Sequence, residues 1–322
     1  MIDRRRLLLA GLSVTAAPAL AQETRYPDRP VRIIVPYAPG GANDILARLY
    51  GAKLSERLGQ PFVVENRAGA QAILGTEAAA RARPDGYTLL LGASGPIVFN
   101  PATYAQLPYD VLKDLAPVSL LASFPLVLVV KADAPFRTLP ELVAWAKSNP
   151  EKANYGASAA SFQLPTELLN QRAGTRFQFI AYRGSAESVN AVANGEVTIA
   201  LVDTGPASVA INAGRVRALA VTAPQRVPYY GDVPTMGELG FPDMQAVLWS
   251  GLFATGGTPR VVIEKLQAEC AAITALPDIQ ERVKSFVMDP VGGDPDSFRT
   301  AITREIESWS KVAQAANIRL ER

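Results

Sequence analysis

The stretch Tyr26–Gly59, YPDRPVRIIVPYAPGGANDILARLYGAKLSERLG, restricts the fold more than any other part of the chain. VRIIV (31–35) is a short run of apolar, mostly β-branched residues, the pattern of a strand buried on both faces. Pro39, Gly40 and Gly41 break the run. Asn43 or Asp44 is then placed to cap a helix that continues to about Leu58, and Gly59 supplies the stop. A strand, a glycine turn and a helix in this order leave backbone N–H groups beyond the strand's C-terminal edge. Such a turn suits a small anion.

The residues ahead of this unit carry a compartment signal. Residues 1–21 combine Arg4, Arg5 and Arg6, an apolar run from Leu7 to Ala17, and Ala19-Leu20-Ala21 as a small-x-small cleavage site. This is the pattern of a secretory leader, too short in its apolar part to span a bilayer, and Arg4-Arg5 also fits a twin-arginine signal. The expected mature chain starts near Gln22 and is exported, most simply to a bacterial periplasm. Residues 1–21 contain three Arg and one Asp, so the formal charge falls from +2 to 0 on their removal. A neutral chain offers no electrostatic case for nucleic acid or anionic membrane.

What is missing also narrows the function. The chain of 322 residues has no histidine and a single cysteine, Cys270. Ser-His-Asp and Cys-His catalysis are excluded, as are the usual zinc ligand sets and an internal disulfide. Cys270 lies in VVIEKLQAECAAITAL, where it reads as part of an apolar helix face. There is no dense acidic loop of the calcium-binding kind, no GxxxxGK[ST] and no GxGxxG after a strand.

Beyond Gly59, strands and helices alternate. Strands are expected at Phe62–Glu65, Tyr87–Leu91, Ala116–Lys131, Phe177–Tyr182, Val197–Val202, Arg217–Thr222 and Met244–Phe253. Helices are expected from about Ile73 to Arg83, after Thr138, over ELLNQRAG (167–174), from Arg183-Gly184-Ser185 to Asn194, and around 261–275 and 295–316. The reading is an α/β protein with mostly parallel sheets, and roughly 300 mature residues favour two lobes over one core.

Segments along nearly the whole mature chain resemble, in order, the Bug family of periplasmic solute receptors, the extracytoplasmic components of tripartite tricarboxylate transporters. They include YPDRPVRIIVPYAPGGANDILAR (26–48), LGQPFVVENRAGA (58–70), ARPDGYTLLLG (82–92), LPYDVLKDLAPVSLL (107–121) and TLPELVAWAKSNPEK (138–152). YRGSAESVNAVANGEV (182–197), AGRVRALAVTAPQR (213–226), DVPTMGELGFP (232–242) and WSGLFATGGTP (249–259) continue the series. The resemblance implies a two-lobe fold similar to type II periplasmic binding proteins, with two crossing strands near 120–127 and 245–253. One lobe is then residues 22–123 with 248–322, and the other 124–247. It further implies a small carboxylate ligand held between the lobes, no chemistry on it, no cofactor or metal, and delivery by a monomeric receptor to a multi-span membrane permease. A sensory role, in which the liganded receptor docks a membrane sensor kinase, is the alternative. A secreted hydrolase on a similar scaffold is a third reading, which the missing histidine opposes.

In open parallel sheets, ligands collect beyond the C-terminal ends of strands. The loops so placed are Pro39–Asp44, Gly92–Pro96, Tyr155–Thr166, Arg183–Ser185 and Asp203–Pro206. From them come the candidate ligand-binding residues. Gly40, Gly41, Ala42, Asn43 and Asp44 form the first-lobe turn. Ser94 follows the third strand. Ser158, Ala159, Ser161, Phe162 and Gln163 form the second-lobe turn, with Arg183 and Asp203 beside it, and Tyr37 and Phe162 are aromatic wall candidates. Arg183 is the one cation in these loops, so backbone amides and hydroxyls are expected to hold the carboxylate. Asp203 repels a carboxylate and is expected to cap the next segment, to meet a ligand hydroxyl or amine, or to hold water. Two departures from the family pattern are visible: Gln71 stands in a run usually of small residues, and Gln163 stands near a position where histidine is common.

Overall fold

The structure is a computed structural model and describes residues 26–320; the leader expected over 1–21 lies outside them. Its first part runs β1 (Val31–Val35), α1 (Ala42–Leu58), β2 (Phe62–Asn66), α2 (Ile73–Ala80) and β3 (Thr88–Ala93). β1 lies between β2 and β3, parallel to both. Val31, Ile33 and Val35 enter one apolar cluster and Ile34 another, which is why this strand is apolar at every position but one. α1 stops at Gly59, which takes the left-handed conformation (φ 69°) and returns its N–H to Ser55 O. β3 feeds directly into a short helical turn (Gly95–Phe99) and α3 (Asn100–Thr103), where the sequence suggested only a turn at Ser94-Gly95-Pro96. α4 (Val111–Asp114) then leads into β4 (Leu115–Lys131).

The second part contains α5 (Leu139–Ser148), β5 (Asn154–Ala157), α6 (Ala160–Ala173), β6 (Gln178–Ala181), α7 (Ser185–Asn194), β7 (Ile199–Asp203), α8 (Thr204–Asn212) and β8 (Val216–Val221). The chain returns through β9 (Val247–Thr255), α9 (Arg260–Thr274), α10 (Pro277–Lys284), β10 (Asp289–Pro290) and α11 (Pro295–Ala315). Three expectations are corrected here. α6 begins at Ala160 rather than after Thr166, because Pro165 sits inside the helix instead of at its start. α8 and α10, neither of them expected, occupy segments read as loop.

The architecture is two α/β lobes that share β4. This strand of 17 residues can reach roughly 55 Å, far enough to serve both sheets. Residues Leu115–Pro125 pair antiparallel with β9, whereas Leu126–Lys131 pair with β7 and β8. β9 also pairs with β3, and β5 lies parallel between β6 and β7. Pro117, which has no N–H to give a ladder, falls at one of two register shifts between β4 and β9. Beyond the crossing the faces of β4 divide: Leu126, Leu128 and Val130 join one cluster, Val127 and Val129 another. α11 packs on β4, α3 and α6, so the C-terminal helix touches both lobes. Trp249, on β9, is buried edge-to-face against Phe298 at 4.9 Å and donates to Glu305 Oε2 (3.0 Å), a packing role near the crossing. Cys270 is buried on the inner face of α9.

Candidate functional site

A cleft of about 930 Å³ lies where β1, β3, β5, β6 and β7 end and the following helices or loops begin. Its first wall is the turn into α1. Gly40 has φ 85°, a conformation that L side chains rarely adopt, and Gly41 is extended at the N-cap. Ile45 N donates to Gly41 O (3.0 Å), the first bond of the helix, and no side chain occupies the cap. The amides at the start of α1 therefore have no acceptor within the helix, and Gly41, Ala42 and Asn43 border the cleft.

The side chains of this wall are engaged with one another. Asp44 was expected to border the cleft and, with Asn43, to be a candidate cap. It does neither, because it sits in the first turn and reaches backward and inward. Its Oδ2 accepts from Gly40 N (2.9 Å) and Arg48 Nε (3.0 Å), and its Oδ1 accepts from Asn66 Nδ2 (2.9 Å). Asn66 Nδ2 also donates to Tyr37 O, and Ser250 Oγ donates to Asn43 Oδ1 (2.6 Å). The Arg48 hydrogen bond is the main reason the Asp44 carboxyl is held down to about 2. Asp44 is thus the anchor of this turn. Tyr37 and Ser94 both border the cleft. Burial raises the Tyr37 phenol above its ordinary range, and Ser94 Oγ faces Trp249 N at 3.5 Å.

The second wall comes from the other lobe. Ser158, Ala159, Ser161 and Phe162 border the cleft, and Ser161 is buried in the first turn of α6. Ala159 is the N-cap and has no side chain that can cap; its carbonyl accepts from Phe162 N and Gln163 N (both 3.0 Å). Gln163, expected at the cleft, is not on its surface. It lies one helical turn into α6, near the Tyr155 phenol, which donates to Glu167 Oε1 (2.6 Å). Arg183 borders the cleft and is exposed, and its backbone N–H is spent on Glu187 Oε2 (3.0 Å). Among the described residues it is the one cation on the lining and forms no ion pair.

Asp203 occupies the N-cap position of α8, but its side chain accepts no cap hydrogen bond, so the capping expectation is corrected. Its Oδ1 is buried without a hydrogen-bond partner. Burial raises its pKa, and a hydrogen bond from the Ser185 side chain offsets only part of this.

A common feature emerges from the helix starts. α1, α2, α6, α7 and α8 open onto the cleft, and none has a side-chain cap. Away from the cleft, Thr138 and Asp294 cap α5 and α11 with side-chain oxygens, whereas α9 and α10 have no side-chain cap. Open N-termini offer amide donors and partial positive charge to an anion without placing a fixed cation beside it. No three Cys, Asp or Glu side chains converge as metal ligands among the described residues.

Other parts of the lining were not anticipated. Gln71 and Ala72 contribute a turn in which Ala70, Gln71 and Ala72 all have positive φ (46°, 51° and 68°). Ser208, Val209 and Asn212 project from α8, with Tyr229 nearby, and Phe286, Val287 and Met288 approach from the loop before β10. Gly205-Pro206 directly after a strand was a readable helix start. Nothing local announces the loop at 286–288, which only the C-terminal return brings to the cleft.

The sequence profile described as "Tripartite tricarboxylate transporter family receptor" matches residues 46–318. The chain belongs to this family. It is similar to Protein BugT of Bordetella pertussis (strain Tohama I), with 36% identity over 325 residues covering 98% of this chain and 99% of that one. Among solved structures of the family's fold, it is similar to "R. palustris Rpa4515 with adipate" (TM-score 0.82, 32% identity, 92% of this chain and 100% of that one). It is also similar to "MatC (Rpa3494) from Rhodopseudomonas palustris with bound malate" (TM-score 0.78, 30% identity, 89% and 99%). The Bug-family resemblance and the two-lobe periplasmic binding protein fold are therefore established for this receptor.

Proposed function

We propose that this receptor captures a small organic carboxylate in the cleft between its lobes and hands it to a tripartite tricarboxylate-type membrane transporter. It does no chemistry on the ligand. The observation that carries this reading is the convergence of five uncapped helix N-termini on one cleft whose lining holds a single exposed cation among the described residues. Adipate and malate, named with two similar receptors, are dicarboxylates of a size that such a cleft accommodates. We assign residues 22–123 and 248–322 to the first lobe and 124–247 to the second, with crossings near 120–127 in β4 and 245–253, largely in β9. The mature protein is periplasmic and begins near Gln22.

A charge-assisted hydrogen bond contributes about 1.5–3 kcal/mol net, and a few of them, less the cost of association, reach micromolar affinity. Calorimetry on ligand-stripped protein with a panel of organic acids tests the reading. Gly41 is extended, and a Cβ there meets only Ala38 O at 3.9 Å, so the backbone demand lies at Gly40 and not at Gly41. Gly41→Val is then expected to fold normally and to block ligand approach by bulk alone. Ser161→Ala is expected to weaken binding by about 1–3 kcal/mol, and Arg183→Gln to change it less. Loss of binding in Arg183→Gln, with the other two variants unaffected, would mean that a salt bridge holds the ligand and that the amide account is wrong.

A further inference from the structure

Asp203 is the polar group of the cleft that the capture of a carboxylate does not explain. It ends β7, borders the cleft, and stands where a carboxylate ordinarily caps the next helix, yet it accepts nothing from α8. Its Oδ1 is buried and has no partner. Ser185 hydrogen-bonds to the carboxyl but leaves Oδ1 without a partner. The Tyr230 phenol is committed to Thr204 O (3.2 Å) and Ser208 Oγ (3.0 Å), and the Arg183 guanidinium forms no ion pair among the described residues. A buried acceptor left unpaired is costly and uncommon in a folded protein. Found in a binding cleft, it is complementary to something that arrives with the ligand. An ionised ligand carboxylate cannot serve, because it brings no proton and repels an ionised Asp203. A hydroxyl or an ammonium can, since each brings a proton to the oxygen.

We infer that Asp203 is the specificity-determining acceptor of this cleft: the captured acid carries a hydroxyl or ammonium donor on the part that enters the second lobe, and Oδ1 receives it. The inference rests on the cleft being a carboxylate site. The ligand's carboxylate then faces the amides of Gly41, Ala42 and Asn43 across the cleft, and its donor group faces Asp203. A site built to accept from a ligand donor rejects the analogue that lacks it, because the acceptor stays desolvated and unpaired.

The test uses two series of acids that differ at one carbon: succinate, malate and aspartate, and adipate, 2-hydroxyadipate and 2-aminoadipate. Each is titrated calorimetrically into the ligand-stripped mature protein and into Asp203→Leu, which matches the side chain's bulk without an acceptor. In at least one series the wild type is expected to bind the hydroxy or amino acid about tenfold or more tightly than the plain diacid. In Asp203→Leu that preference should shrink to within about twofold, with the plain diacid bound as well as before or better. Equal binding of plain and donor-bearing acids by the wild type overturns the inference, since water or nothing then meets Oδ1. So does a preference that survives in Asp203→Leu. Uptake of one proton with the plain diacid, read from heats in buffers of different ionisation enthalpy, also overturns it, because Asp203 would then be the donor. If Asp203→Leu does not fold, the wild-type series decides alone. Failure of every acid in both series removes the carboxylate reading itself, an outcome distinct from carboxylate binding without donor preference.

Discussion

The two walls of the cleft present similar backbone and spend their side chains differently. In the first lobe, the Asp44 carboxylate accepts from Gly40, Arg48 and Asn66, Asn66 also holds Tyr37 O, and Asn43 is fixed by Ser250. Every polar side chain named there is used to hold the amides in place. In the second lobe, among the described residues, Ala159 and Gly184 cannot cap, the Arg183 guanidinium forms no ion pair, and Asp203 Oδ1 has no partner. A turn whose own polar side chains are internally satisfied offers a ligand chiefly its backbone amides, which recognise the charge common to all carboxylates. A wall with unsatisfied side chains can distinguish one carboxylate from another, and it gives up folding stability to do so.

Substitutions at the two aspartates should separate the walls in opposite directions. The largest effect is expected at Asp44. Asp44→Ala strands the Gly40 N–H, Asn66 Nδ2 and Arg48, and should lower unfolding free energy by about 2–4 kcal/mol in chemical denaturation. A loss below about 1 kcal/mol would show that the first wall holds its shape without this anchor. Because the folded pKa of Asp44 is depressed to about 2, its contribution is complete above the ordinary carboxylate pKa near 3.8 and disappears as pH falls through about 2. Asp44→Asn should flatten that part of the acid limb.

At Asp203 the sign reverses. Its folded pKa is raised, so the stability associated with this carboxyl is fullest below 3.8 and declines as pH rises above it. Asp203→Asn should therefore stabilise the ligand-free protein at neutral pH by about 1–2 kcal/mol, with a smaller gain at pH 4. Thermal melts at both pH values measure this. Destabilisation at neutral pH would mean that the carboxylate is paired in solution, and the contrast between the walls would fail.

The smallest effect is expected at the turn before α2. Gln71 has φ 51° in a run of three left-handed residues, and its carbonyl is held by Asn100 Nδ2 (3.0 Å). A left-handed L-residue costs about 1–2 kcal/mol, and glycine gives part of that back through its freer unfolded state. Gln71→Gly should gain up to about 1 kcal/mol in the same melts. If the gain is accompanied by altered ligand affinity, the Gln71 side chain belongs to the specificity of the cleft, and the first wall is not purely a backbone device.

The sequence by itself determined the elements whose signals are local. VRIIV became β1, Gly59 ended α1 in the left-handed conformation, Gly195 did the same for α7, and the long apolar run through Lys131 became β4. Because ligand-side loops of a parallel sheet follow from strand order, it also pointed to the turns at Gly40–Asn43, Ser158–Phe162, Arg183 and Asp203 that border one cleft. The tertiary structure alone decided what each polar side chain does there. Asp44 became an anchor because β2 brought Asn66 to it, Gln163 left the cleft surface because α6 starts earlier than Pro165 suggested, and Asp203 Oδ1 was left without a partner. Residues 286–288 reached the cleft only through the C-terminal return. Backbone conformation is governed largely by neighbours in the chain, whereas the partner of a buried polar atom is chosen by whatever distant segment packs against it.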